Sequence, residues 1–214
     1  MRIGAGCAIV GVAVAVWLSS CNSNNQTNQN SPAVASQQPT VSTSAPATVP
    51  PNSAASAGPV ALPEDVRETK VKTIDGSSLK LADYHNKVVV VNIWATWCGP
   101  CRLEMPDLVK LSHEYKSRGL VVLGVATTYN ESNDPERVKN FIKTQKVDYK
   151  ILWDDGSLAG PLVQSVNGRG VIPQSFVISR DGKIVKHFQG FSPMSTPALM
   201  RQAVEEALGD KSKA

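Results

Sequence analysis

Two short apolar runs dominate the hydrophobic pattern of the chain from residue 64 onward, residues 87–94 (KVVVVNIW) and 120–126 (LVVLGVA). Apolar, largely β-branched side chains at nearly every position predict strands buried on both faces. Between them, residues 100–117 predict a helix that Pro106 kinks and Gly119 closes. Residues 135–146 predict an amphipathic helix, with Val138, Phe141 and Ile142 on one face at the i, i+3, i+4 spacing. Further strands are expected at 149–153 and 174–179. Asp181-Gly182 then turns the chain into a strand at 183–188, and a last helix covers 196–208. Ahead of all these, Asp75-Gly76 between 69–74 and 79–81 predicts a small hairpin with a two-residue turn. Strands alternating with helices, then a terminal hairpin and helix, indicate an α/β domain with a mixed central sheet. At about 150 residues it can hold one core without disulfides.

The first 63 residues differ in kind. No Asp, Glu, Lys or Arg occurs between Arg2 and Glu64, so all 18 acidic residues lie from Glu64 onward. Arg2 followed by an apolar run over residues 3–18 has the layout of a secretory signal, and the run is short for a membrane-spanning helix. Residues 22–62 are Asn, Gln, Ser, Thr, Ala and Pro with scattered valines. They predict a disordered linker, because such a composition buries too little apolar surface to offset its ordering entropy. The domain is therefore expected over 63–209, with a charged tail at 210–214. A net charge of +4 is too mild, and too mixed in sign, to indicate a nucleic-acid partner.

The chemistry concentrates in Trp94-Ala95-Thr96-Trp97-Cys98-Gly99-Pro100-Cys101, where a strand gives way to a helix. Cys98 at the helix N-terminus faces the positive end of the dipole. That favours a thiolate by up to about 2 kcal/mol. Pro100 costs no hydrogen bond in the first turn, and Cys101 stands one turn on, spaced to attack a mixed disulfide at Cys98. A structural zinc would need four ligands, and only His85, His113 and His187 could add to this pair. Copper held by the two thiolates and a histidine stays open as an alternative. So does a peroxidase, although Thr96 stands two residues before Cys98 rather than three. No nucleotide-binding loop and no haem-attachment motif occur, so neither a cofactor nor a resident metal is expected.

The segment WCGPC resembles the active site of the thioredoxin superfamily. KVVVVNIWATWCGPCRLEMP, GVIPQSFVISRDGKIV and an α/β insertion between the strands near Val125 and Gln174 resemble, more narrowly, the TlpA/ResA-like envelope thiol–disulfide oxidoreductases. The resemblance implies a thioredoxin-like fold with an N-terminal β-hairpin. It implies that Cys98 attacks, that Cys101 resolves, and that the two form a redox-active disulfide. Pro173 matches a proline preceded by a cis bond, which would bring the Ile172 backbone beside Cys98 to hold an extended peptide. Trp97 would cover the disulfide as an apolar lid. Asn92 stands where thioredoxins carry a buried aspartate. Glu104, three residues after Cys101, matches a glutamate of the narrower group and, partly desolvated with a raised pKa, would serve as base or acid for Cys101.

Leu18-Ser19-Ser20-Cys21 resembles a bacterial lipoprotein cleavage box, which implies lipidation at Cys21 and a domain held at the membrane on its extracytoplasmic side. The linker's 41 residues would span roughly 35 Å as a flexible coil. By the resemblance to the TlpA/ResA-like group, the substrates would be disulfide-bearing envelope proteins, as in cytochrome c maturation. The electron donor would be a membrane thiol transporter of the DsbD/CcdA type.

Overall fold

The computed structural model describes residues 58–209. Cys21, the segment read as a signal, nearly all of the segment read as a linker and the tail at 210–214 lie outside the described residues. The elements run β1 (Val60–Ala61), α1 (Glu64–Glu68), β2 (Val71–Thr73), β3 (Ser78–Leu79), β4 (Val88–Trp94), α2 (Gly99–Tyr115), β5 (Leu120–Thr127), α3 (Pro135–Thr144), β6 (Lys150–Asp154), α4 (Ala159–Gln164), β7 (Gln174–Ile178), β8 (Lys183–Gln189) and α5 (Thr196–Leu208). All eight strands join one sheet in the order β1-β8-β7-β4-β5-β6-β2-β3. β4, β5 and β6 are parallel, and the other pairings are antiparallel.

β4 is buried at every position, as its composition demands, and its side chains divide strictly between two layers. Val88, Val90 and Trp94 enter the layer that holds Met105, Leu108 and Leu111 of α2 and Met200, Ala203 and Val204 of α5. Val89, Val91 and Ile93 enter the opposite layer, with Val66 of α1 and Leu158, Ala159 and Leu162 around α4. Gly124 of β5 has a packing reason. A Cβ there would lie 2.6 Å from Ile151 Cδ1 and 2.9 Å from Trp94 Nε1. Gly119, at φ 96°, ends the short 3-10 turn after α2 in the left-handed conformation.

Several expectations shift in detail. β1 and the buried Leu62 fall within the last residues read as linker, so the sheet begins earlier than residue 63. Only its pairing with β8 makes a strand of Val60–Ala61, a tertiary effect that composition does not carry. The hairpin forms with Val71 opposite Leu79, but residues 74–77 close it rather than a two-residue turn. Asp75 draws this wider loop together, because its carboxylate accepts from the Ser77 N–H and from the Thr73 and Ser77 hydroxyls. α3 ends at Thr144 rather than 146, since Lys146 takes a positive φ of 55°. Neither α1 nor α4 was expected as a helix. Both are single-turn pieces too short to show periodicity.

Candidate active site

β4 delivers the chain to the site, and Cys98 becomes the N-cap of α2, in extended backbone conformation at φ −77°, ψ 108°. Its sulfur accepts the Cys101 N–H at 3.2 Å, one of the donors that a helix start leaves free. Pro100 sits in the first turn, where it removes no intrahelical bond. Cys98 and Cys101 are joined in a disulfide, with Cα atoms 5.3 Å apart. Both are buried, Cys101 more deeply.

Glu104 lies on the same helix and is only 2% exposed. The β4–β7 register sets Asn92 directly opposite Ser175, on the face that α2 covers. Asn92 Nδ2 donates to Glu104 Oε2 at 2.9 Å and to Ser175 Oγ at 2.8 Å, and Ser175 Oγ donates to Glu104 Oε1 at 2.9 Å. Burial pushes the carboxyl up to about 7, against the opposing pull of these hydrogen bonds. The charge of Asp107 adds to the rise. Tyr149, from the chain entering β6, is close enough that the Glu104 charge helps raise its phenol above the usual range, after burial as the main cause. Its hydroxyl, buried, has no hydrogen-bond partner among the described residues.

The turn before Cys98 is held from the loop that follows β5. Glu131, fully buried, accepts the Thr96 N–H at 2.5 Å and the Thr96 hydroxyl at 2.7 Å. The Trp97 indole N–H donates to the neighbouring Asn130 carbonyl at 2.7 Å, and the ring is 58% exposed. The Ile172–Pro173 bond is cis. Gln174 braces the loop before it, donating to the carbonyls of Arg169 and Val171, and the Pro173 carbonyl accepts from Gly190. Trp97 and Ile172 share a groove of about 410 Å³, whose other walls include Tyr129, Ala159 and Val163.

Cys98, Cys101 and Glu104 thus stand on one helix end, while Trp97 and Ile172 meet across the groove. The three histidines go elsewhere. His113 pairs with Asp148, His187 stacks on Phe176 at 4.4 Å, and His85 follows the 3-10 turn at the far end of β4. Sequence reasoning missed Ser175, Glu131 and Tyr149. Ser175 was recoverable only from the β4–β7 register. Glu131 lies in the polar stretch Tyr129-Asn130-Glu131-Ser132-Asn133-Asp134, which reads as an exposed loop.

The model of the Redoxin family matches residues 36–208. The chain belongs to the Redoxin family. It is similar to the thiol-disulfide oxidoreductase ResA of Bacillus thuringiensis subsp. konkukian, with 32% identity over 122 residues, or 56% of this chain. The match covers 65% of that relative, so the chain spans just under two thirds of its length. ResA of Halalkalibacterium halodurans is 30% identical over 139 residues, covering 64% of this chain and 69% of that one. Among solved structures, a thiol:disulfide interchange protein of the thioredoxin family from Chlorobium tepidum superposes with a TM-score of 0.58 at 33% identity. That superposition covers 66% of this chain and 93% of that one. A thioredoxin-like fold carrying a Cys-x-x-Cys disulfide is common ground between this Redoxin member and the sequence expectation.

Proposed function

We propose that this Redoxin-family protein is an extracytoplasmic thiol–disulfide oxidoreductase that reduces disulfides of partner proteins. The Cys98–Cys101 disulfide at the N-terminus of α2, one turn ahead of a buried carboxyl, carries this reading. In the reduced protein, the Cys98 thiolate attacks a partner disulfide, and a mixed disulfide forms as the first partner thiolate leaves and takes a proton from water. Glu104 then accepts the Cys101 proton. The Cys101 thiolate attacks Cys98, the S–S bond of the protein re-forms, and the second partner sulfur departs as a thiolate with the electron pair of the broken mixed disulfide and takes a proton from water. Ile172 and Trp97 border the groove in which an extended partner segment would lie.

Lipidation at Cys21 would hold the domain at the membrane. Disulfide-bearing envelope proteins, such as apocytochromes c, would be its substrates, and a DsbD/CcdA-type transporter would return electrons. Support comes from the sequence of residues 1–62 and from relatives named ResA. Among the described residues, no helix is long and apolar enough to cross a membrane. For the peroxidase alternative, Thr96 offers little, because its hydroxyl is committed to Glu131.

Equilibration of the protein with defined thiol buffers tests the direction. A potential near the roughly −270 mV of thioredoxin supports a reductant, whereas one near the roughly −120 mV of DsbA makes it an oxidant. Cys101→Ser is expected to accumulate mixed disulfides at Cys98. A protein that does not cycle and traps nothing would refute the reading and favour copper binding by the two thiolates.

A further inference from the structure

A second cavity, of about 240 Å³, opens between α2 and α5. Asp107, Leu108 and Lys110 line one side, Phe191, Ala198 and Arg201 line the other, and Glu104 forms part of its wall. Lys110 and Ala198 are exposed, whereas Glu104 is buried, so this cleft runs from surface residues to Glu104. It lies on the sheet face opposite the Trp97 groove. Leu108, Leu111 and Met200 belong to the layer under α2 and α5, while Ile93, Ala159 and Val163 of the groove belong to the layer under α4.

We propose that the α2–α5 cleft is the proton route of Glu104, exchanging its proton with water on the face away from the groove that receives the partner. This rests on the reading of Glu104 as proton acceptor for Cys101. A partner seated at Cys98 and the groove shields that face from water. Each oxidation leaves one proton on Glu104, and exchange with water lets the carboxyl reset independently of Cys101. A path on the opposite face stays open while the mixed disulfide exists. The groups facing Glu104 suit a gate that titrates. Asn92 and Ser175 hold the carboxyl from β4 and β7, Tyr149 lies near it, and Asp107 adds negative charge from the next turn of α2. Lys110 and Arg201 bring the cations of the cleft wall, with Arg201 held by Glu114 and the Tyr115 hydroxyl.

The route is tested on the oxidised full chain with diisopropylcarbodiimide, an apolar reagent that attacks protonated carboxyls, and peptide mass analysis. Wild type is expected to label at Glu104, with a rate that falls about tenfold per pH unit once most of the carboxyl is ionised. Ala198→Phe fills the cleft from an exposed helical position and is expected to lose most of this labelling. Ala198→Leu should lose less, and Trp97→Ala, which opens the other face, should change nothing. Labelling that ignores both Ala198 variants, rises in Trp97→Ala, or is absent from wild type at pH 6 would overturn the route. With insulin as a disulfide-bearing probe, Ala198→Phe should reduce it several-fold more slowly while alkylation of Cys98 is unchanged. Equal insulin rates would also overturn the route. If wild type fails to reduce insulin, or Glu104→Gln leaves Cys101 unaltered, the functional reading fails instead, and labelling alone decides the route.

Discussion

Asn92 and Ser175 stand directly opposite each other across the β4–β7 pair, and between them they bind both oxygens of the Glu104 carboxyl. One amide hydrogen and one hydroxyl therefore stabilise a charge that burial opposes. The balance leaves the carboxyl at about 7.

Glu104→Gln tests that balance through stability. The folded carboxyl titrates at about 7 instead of the ordinary 4.5, so the native state binds the extra proton between these values. The contribution is fully present below 4.5 and is lost as pH rises through 7. It amounts to about 3 kcal/mol across the window. Urea unfolding of the wild type between pH 5 and 8 should show this decline, and the Gln variant should flatten it. A parallel slope in both proteins would contradict the assignment.

The same substitution should alter the thiols. Without a proton acceptor beside the α2 start, the pH profile of Cys101 alkylation should shift. The Cys98 profile, set by the helix terminus, should move less. Iodoacetamide kinetics on the reduced protein read both.

Asn92→Asp places a second carboxyl 2.9 Å from the first, where the Asn92 amide now donates. Two such groups cannot both ionise in a buried site, so they will share a proton. The variant should be far less stable at pH 8 than at pH 5. A loss of the same size at both pH values would count against it.

Glu131→Ala should cost about 1–3 kcal/mol, because it leaves the buried Thr96 N–H and hydroxyl without partners. Glu131→Gln keeps an acceptor for the N–H and should recover most of that loss. Thermal unfolding of the two variants separates lost geometry from lost charge.

Tyr149→Phe should be neutral or stabilising by about 1 kcal/mol, since the hydroxyl it removes is buried without a partner. Measured destabilisation would reveal a partner for that hydroxyl, such as an internal water.

β4 and β5 were legible because their burial on both faces writes itself as unbroken apolar runs, and α2 because Cys98, Pro100 and Gly119 punctuate it. The disulfide pair was legible for the same reason, since its chemistry is local in sequence. Glu104 could be named as a position, but its hydrogen-bond partners could not, because they are 12 and 71 residues away. Glu131 was invisible, as nothing in a polar loop marks the one carboxylate that turns inward. β1 and α4 were missed because a two-residue strand and a six-residue helix owe their form to what they pack on.

The pairing of Val60 with Ile184 also fixes an orientation. Ile184 neighbours Ile178, which neighbours Val89, so the chain enters the sheet beside the beginning of β4. The disulfide follows the other end of that strand, about 17 Å along it. A load applied at residue 58, whether an anchor, a fusion or a bead, would therefore pull on β1 and the outer sheet and leave the sulfur atoms facing away from the point of attachment.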